Sequence, residues 1–208
     1  MLARRAAPAL LLALAACGVG PGADAPKALG DFRLGYNIVQ ANDVEQGPFS
    51  RRAAPEDLSG ALREAVEARL GRYDGDGLYH VGIAIGGYVL AQPGLPVVYT
   101  PKSVLIFEAN LYDNATQARL NAEPERIMAF EGITNLTPVV GSGLVRSKEE
   151  QLENLAAEGA RLVEDWLAKH PEWFEPDPEA PRVAFDRAAG AVRARQAVAA
   201  APVAAPAE

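Results

Sequence analysis

From residue 147 to Pro171 the chain repeats apolar residues at helical spacing without a break. Leu152, Leu155, Ala156, Gly159, Leu162, Val163, Trp166 and Leu167 fall on one stripe, and the opposite face is charged. A stripe of that length has to be buried, so the rest of the chain must build a surface for it to lie on. Ser147 and Glu150 stand at the spacing of a capping box, and Pro171 cannot continue the helix. Trp173 and Phe174, just beyond, are expected to fold back onto the core.

The upstream pattern supplies a sheet. Phe32, Leu34, Tyr36 and Ile38 alternate with Arg33, Gly35 and Asn37, the period of a half-buried strand. After a Gly47-Pro48 loop, a helix is expected from Pro55, with Glu56 and Asp57 at the positive end of its dipole. Leu58, Leu62, Ala65, Val66 and Leu70 share its apolar face, and Gly71 is the expected C-cap. Asp74-Gly75-Asp76-Gly77 makes a turn. A second strand runs over 78–91 with Tyr79, Val81, Ile83 and Ile85 on one face. Gly86-Gly87 interrupts it as a hairpin or a bulge. The bulge is preferred, because Pro93-Gly94-Leu95-Pro96 is the better place to reverse the chain. A third strand covers 103–112 with Leu105, Phe107, Ala109 and Leu111 together. A fourth covers 126–133 with Met128 and Phe130 together.

The order β-α-β-β-β-α gives an α+β fold: a two-layer sandwich in which an antiparallel or mixed sheet of about four strands carries two helices on one face. Over residues 31–170 that order resembles small periplasmic lipoproteins such as ABC-transporter auxiliary components, and the N-terminal domain of TolB-like proteins. The resemblance lies in element order alone and carries over no functional residue.

The N-terminus bears on compartment. Arg4 and Arg5 precede an apolar run over 6–16 that is too short to span a bilayer, which takes roughly 20 apolar residues. A charged start, a short apolar core and small residues at its end describe a secretory signal peptide. A buried helix of a cytosolic protein is disfavoured by Pro8 and by Gly20-Pro21-Gly22, which break it at both ends. Leu14-Ala15-Ala16-Cys17 resembles the lipobox of bacterial lipoproteins. That resemblance implies cleavage between Ala16 and Cys17, a diacylglyceryl group on the Cys17 thiol, and acylation of the new amine. Cys17 is the chain's one cysteine, so no disulfide is possible within the mature chain. Gly18 follows it. In enteric bacteria an Asp at that place signals inner-membrane retention, so Gly18 points to the outer membrane, facing the periplasm.

Domain boundaries follow from composition. Residues 1–16 read as the signal peptide, 17–29 as lipid anchor and tether, 30–175 as the globular domain, and 176–208 as an Ala/Pro-rich, mostly disordered tail with a frayed helix around 185–198. Removal of residues 1–16 takes away Arg4 and Arg5, leaving 18 basic residues against 27 acidic and a net charge of −9. Such a chain repels phosphate backbones and no basic cluster compensates, so no nucleic-acid partner is expected.

Motifs that carry chemistry do not survive inspection. Counted from Asp74, a calcium loop would need a ligand at Leu78 and a Glu at Ile85. Gly141-Ser142-Gly143 lacks the Gly-Lys-Ser/Thr ending of a phosphate loop, and Pro101-Lys102-Ser103 is followed by a strand. His170, at a helix end, suits the dipole. Asn114-Ala115-Thr116 and Asn135-Leu136-Thr137 match a glycosylation pattern that a bacterial lipoprotein has no use for.

Strand phase marks one further surface. With the strongly apolar faces turned to the helices, the opposite face is expected to carry Gly35, Asn37, His80, Gly82, Ala84, Glu108, Asn110 and Glu131, with Val104, Ile106, Tyr112, Ile127 and Ile133. Asn37, His80, Ile106, Glu108, Asn110, Tyr112 and Glu131 form the candidate partner face, against the plainer reading of a solvated sheet face. No catalytic residue, metal ligand or cofactor is assigned. The expected function is a non-catalytic binding or assembly component of the cell envelope, held to the membrane by lipid and engaging a protein partner. The alternatives are an envelope hydrolase using His80 with Glu108 or Glu131, and a carrier of a small apolar ligand.

Overall fold

The computed structural model describes residues 25–92, 103–131 and 147–200. Cys17, Pro93 to Pro96, Ile133, Asn135 and Gly141 to Gly143 lie outside them. The expected α+β architecture is present as a five-stranded mixed sheet with two main helices. Strand β1 (Arg33–Gln40) lies parallel to β3 (Leu78–Val89), and helix α1 (Pro55–Leu70) connects them. A short β2 (Glu45–Gln46) pairs with the far end of β3. Strands β4 (Val104–Asp113) and β5 (Glu125–Phe130) continue antiparallel, giving the order β1-β3-β4-β5. Helix α2 (Lys148–Leu167) follows, then a 3-10 turn (Pro171–Phe174) and helix α3 (Arg187–Ala200).

Local chemistry explains these elements. Pro55 opens α1 where its missing N–H costs nothing, with Glu56 and Asp57 in the first turn. Ser147 closes the expected capping box on α2: its backbone N–H donates to Glu150 at 2.9 Å, and its hydroxyl accepts from the Glu150 amide at 3.1 Å. Both apolar stripes point at the sheet. Leu58, Leu62, Val66 and Leu70 of α1 and Leu155, Ala160, Val163 and Leu167 of α2 are buried. They meet Val81, Ile83, Ile85, Leu105, Phe107, Ala109 and Leu111 in one continuous core. Gly159 lets α2 approach closely, since a Cβ there would stand 3.1 Å from both Leu62 and Phe107.

The two helices run parallel and are tied at both ends. Lys148 faces Asp57 at the N-terminal ends. At the C-terminal ends the fully buried Glu164 carboxylate accepts from Arg69 Nε at 2.8 Å, Arg72 Nη2 at 2.6 Å and Tyr73 OH at 2.6 Å. Burial alone would raise the Glu164 carboxyl, but the hydrogen bonds from Tyr73, Arg72 and Arg69 hold it below the usual carboxylate range. Burial, with that carboxylate beside it, pushes the Tyr73 phenol up to about 12.

Phe174 folds back as expected. It packs edge-on against Phe32 and Tyr79, which stack on each other, and its carbonyl accepts from the Asp31 amide at 2.9 Å. Burying such a ring contributes about 2–3 kcal/mol. The Asp74–Gly77 turn is held by the Asp31 carboxylate, which accepts from the amides of Asp76 and Gly77.

Strand phase departs from the sequence reading in two places. In β1 the register shifts between Leu34 and Asn37. The bulge turns Asn37 to the helix side, where its Nδ2 donates to the Arg63 carbonyl at 2.9 Å, and turns Tyr36 outward. In β5 the pairs Ile106–Met128 and Phe107–Ile127 place Ile127 and Ala129 in the core and Met128 and Phe130 outside. Glu131 is buried just past the strand, its amide bonded to the Ser103 carbonyl. Both phases of β5 are apolar, so alternation alone does not choose between them. The Gly86 bulge in β3 is present as expected, with the register shift between Ile85 and Gly87.

The C-terminal segment also differs from its composition. The helix allowed around 185–198 is α3, and residues 182–190 pack on the domain. Arg182 bridges the carboxylates of Asp74 and Asp76, Arg33 donates to the Val183 carbonyl at 2.7 Å, and Arg187 donates to the Gly71 carbonyl at 2.7 Å. Phe185 sets its ring edge-on to Tyr36 at 5.1 Å.

Candidate functional site

The sheet face turned away from α1 and α2 is the site to be judged. Its rows follow from register: His80 beside Tyr112, Gly82 beside Asn110, Ala84 beside Glu108, and Ile106 beside Met128. Of the seven residues expected there, His80, Ile106, Glu108, Asn110 and Tyr112 are present. Asn37 and Glu131 are on or near the helix side, for the reasons given above.

His80 is committed within the fold. Its Nδ1 accepts the Tyr36 amide at 2.9 Å, and its Nε2 lies 3.1 Å from the Asn114 side-chain oxygen. This fixes the neutral tautomer with the proton on Nε2. Burial holds its pKa below the ordinary histidine value, against the opposing pull of Asn114 and Asp113. The ring is covered by Tyr36 and Phe185, at 4.9 and 6.2 Å between centroids.

Glu108 pairs with Ala84, four positions from His80, which separates them by about 13 Å at roughly 3.3 Å per residue. It is exposed, with Arg126 opposite on β5. The geometry therefore does not bring His80, Glu108 and Glu131 to one reacting atom, which acid–base chemistry requires. Among the described residues no group of three His, Asp or Glu side chains is placed to hold a metal. Asn110 is partly tied down: its side-chain oxygen accepts from Asn121 at 3.2 Å. The buried Asn121 also takes the Leu111 amide at 2.9 Å, fixing the β4–β5 connection.

The rest of this face is apolar and accessible. Tyr112 is 37% exposed, Met128 51% and Phe130 50%, with Ile106 half-buried between them. Beside the Gly86 bulge lies a shallow hollow of about 300 Å³ lined by Ala84, Ile106, Glu108, Arg126 and Glu45. A second groove, of about 560 Å³, runs between the β5 edge and α2 past Met128, Phe130, Leu162 and Trp166, and carries Lys27, Arg126 and Lys169. A third, of about 670 Å³, lies between the N-terminal halves of α1 and α2 and is strongly acidic, with Glu56, Asp57, Glu64, Glu149 and Glu153. The sequence reading missed Tyr36, Met128, Phe130 and Phe185 as surface builders. The available signal was that β5 is apolar in both phases and that Phe185 is the one aromatic residue of the tail.

His170 sits at the end of α2 as expected, but it stacks flat on Trp173 at 3.9 Å and bonds to Glu172 at 2.9 Å. It is part of the packing around Trp166.

No family model matches the chain, and no curated protein matches it. Several solved structures show a distant likeness. A DUF330 family protein from Xanthomonas campestris has a TM-score of 0.39 and 13% identity, over 70% of this chain and 94% of that one. The PelC dodecamer from Paraburkholderia phytofirmans gives 0.31 and 11%, over 64% and 92%. A minor lipoprotein from Acinetobacter baumannii gives 0.29 and 12%, over 64% and 93%. At these TM-scores the likenesses carry neither a family nor a function for this chain.

Proposed function

We propose that the protein is a lipid-anchored component of a bacterial cell envelope that works by binding a protein partner and catalyses no reaction. The anchor rests on the sequence: one cysteine, placed after Leu14-Ala15-Ala16 at the end of a short apolar run. No helix among the described residues is long and apolar enough to cross a membrane. With two or three acyl chains on Cys17 the attachment is stable, whereas one chain holds only marginally. Gly18 supports an outer-membrane, periplasm-facing placement.

The observation that carries the binding part is the character of the outward sheet face. His80, the one histidine there, spends both ring nitrogens on Tyr36 and Asn114. Glu108 stands far from it, while Ile106 and Tyr112 present apolar surface between polar neighbours. Aromatic and aliphatic anchors inside a polar rim are what interfaces use.

The anchor is tested by growth with labelled palmitate. The native chain should carry label and sediment with membranes, and Cys17→Ser should do neither. Undiminished label on Cys17→Ser would remove the anchoring claim. The binding part is tested by substitutions on the sheet face, argued below.

A further inference from the structure

The groove between β5 and α2 has a composition that the partner face does not explain. Met128 and Phe130 are half exposed at its rim, with Trp166 behind them. Three cations, Lys27, Arg126 and Lys169, surround this apolar centre in a chain of strongly negative net charge. Two acids also line it. Asp165 is bonded to Lys27 and to Arg161, the latter at 2.6 Å, and Glu125 begins β5. Arg126 and Lys169 enter no ion pair among the described residues, and neither does Glu125. Arg126 also stands opposite Glu108 in the β4–β5 register, so the groove carries a net surplus of positive charge beside exposed apolar side chains, with Lys169 its least opposed cation.

We propose that this groove is the surface the domain lays on its own membrane. Met128 and Phe130 would enter the interfacial zone, and Arg126 and Lys169 would meet the phosphates of anionic lipid headgroups. The proposal rests on the lipid anchor at Cys17. Two observations select the bilayer as the occupant.

The first is tether length. Lys27, which lines the groove, follows Cys17 by ten residues, so the groove edge stays within about 35 Å of the acylated sulfur whatever course the tether takes. The second is polarity along the helix layer. The N-terminal halves of the parallel helices α1 and α2 are dense in carboxylates, including Glu56, Glu64 and Glu153, and an anionic surface repels that end. The C-terminal end of α2 carries Trp166 and Lys169, with the carboxylate of Asp165 already paired to Lys27 and Arg161, whereas the acidic groove at the other end has Lys148 as its one cation among the described lining residues. Basic residues beside exposed apolar ones are the composition of a membrane-surface contact, and each basic residue near an anionic surface contributes about 1 kcal/mol. Docked this way the sheet stands with its β5 edge down. Ile106, the cross-strand neighbour of Met128, then lies at the membrane edge of the face, and the β3 side of the sheet is turned away from the bilayer.

The test uses the full acylated protein reconstituted into vesicles. With Cys17 acylated, an introduced cysteine is the only free thiol, so Met128→Cys and Glu64→Cys each accept one environment-sensitive fluorophore. In vesicles of phosphatidylcholine and phosphatidylglycerol, nitroxide-headgroup lipid should quench the label at position 128 several-fold more than the label at 64. Paired reversal of Arg126→Glu and Lys169→Glu should remove that difference, and pure phosphatidylcholine should weaken it. Circular dichroism checks that each variant is folded.

Equal quenching at both positions on an acylated protein overturns the membrane docking and leaves the anchor standing. Quenching at 128 that ignores both lipid charge and the reversals also overturns it. Strong cross-linking from position 128 to a protein in whole cells, without quenching in vesicles, gives the groove to a protein partner and overturns it too. A native chain that carries no acyl group overturns the anchor itself, a result read separately from palmitate labelling.

Discussion

The Tyr36 amide donates to Nδ1 of His80 at 2.9 Å, and this bond satisfies the backbone group that the β1 bulge leaves outside the ladder. Bulges strand a residue between ladder bonds, and a stranded N–H inside a protein needs a partner. His80 supplies it only while Nδ1 is unprotonated. Gly35 is part of the same device, because a Cβ there would run into the imidazole ring.

A pH dependence follows. The folded-state pKa of His80 lies below the ordinary 6.5, so the unfolded chain takes up its proton first as pH falls. Stability from this group is fully present above about pH 6.5 and declines as pH drops from there through the lower folded value. Urea midpoints measured across pH should show that decline, and His80→Ala should abolish it. His80→Ala should also cost roughly 1–3 kcal/mol at neutral pH, since it leaves the Tyr36 N–H unpaired. A flat profile in the native protein between pH 7 and 5 would show that the histidine is not held neutral.

Glu164 gives a second and larger effect. Removing one partner of a buried ion pair costs about 3–5 kcal/mol, because the remaining charge is left uncompensated. Glu164→Ala takes a buried carboxylate away from Arg69, Arg72 and Tyr73 and should lower stability by that order, enough to unfold much of the population in mild denaturant. Replacement by Gln keeps an acceptor for Tyr73 and should cost less. Chemical denaturation of the two variants checks the ranking; equal and small losses would mean that water reaches the cluster. Because the folded Glu164 pKa is depressed, its contribution is present above the ordinary carboxylate range and is lost as pH falls through the lower folded value.

Much of this fold was legible because pattern and packing agree. The stripe from Leu152 to Leu167, the Ser147–Glu150 box and the Gly86 bulge all appear as their residues indicate. The failures have physical causes. In β1 a one-residue bulge moves every later side chain to the other face, so Asn37 went inward where strict alternation put it outward. In β5 the choice between Ile127 with Ala129 and Met128 with Phe130 is made by register to β4, which alternation within one strand does not contain. The tail reads as low complexity because Ala and Pro dominate it, yet Arg182, Phe185 and Arg187 suffice to dock it on partners far away in sequence. Of the candidate face, the β3 and β4 members stood where expected and Asn37 and Glu131 did not.

The docked tail is testable. Phe185 covers Tyr36 and His80, and Gly190 lies close against both Phe185 and Tyr36. Residues 182–190 should resist brief proteolysis in the native protein. Phe185→Ala should make the segment sensitive while leaving strands β1, β3 and β4 and helices α1 and α2 resistant, and the His80 ring should become more accessible to diethyl pyrocarbonate. Equal protease sensitivity of the segment in native and variant protein would show that the docking is too weak to matter.

The outward sheet face separates binding from catalysis. If chemistry resides there, Glu108 or His80 must act on a substrate, and a folded Glu108→Gln or His80→Ala variant would lose the protein's cellular role. The geometry argues otherwise, since His80 is bonded at both ring nitrogens and Glu108 lies about 13 Å from it by strand spacing. Tyr112 is different: it is 37% exposed, contributes little to the core, and offers an aromatic ring beside His80 and Asn110. Truncation of such an anchor typically costs an interface 1 kcal/mol or more, so Tyr112→Ala should weaken partner capture roughly tenfold while leaving the circular dichroism spectrum unchanged. Glu108→Gln should change capture and cellular role little. The measurement is site-specific photo-cross-linking in intact cells, followed by a binding titration with whichever envelope protein is captured. Loss of the cellular role in folded Glu108→Gln, with partner capture intact, would make the face an active site and overturn the binding function.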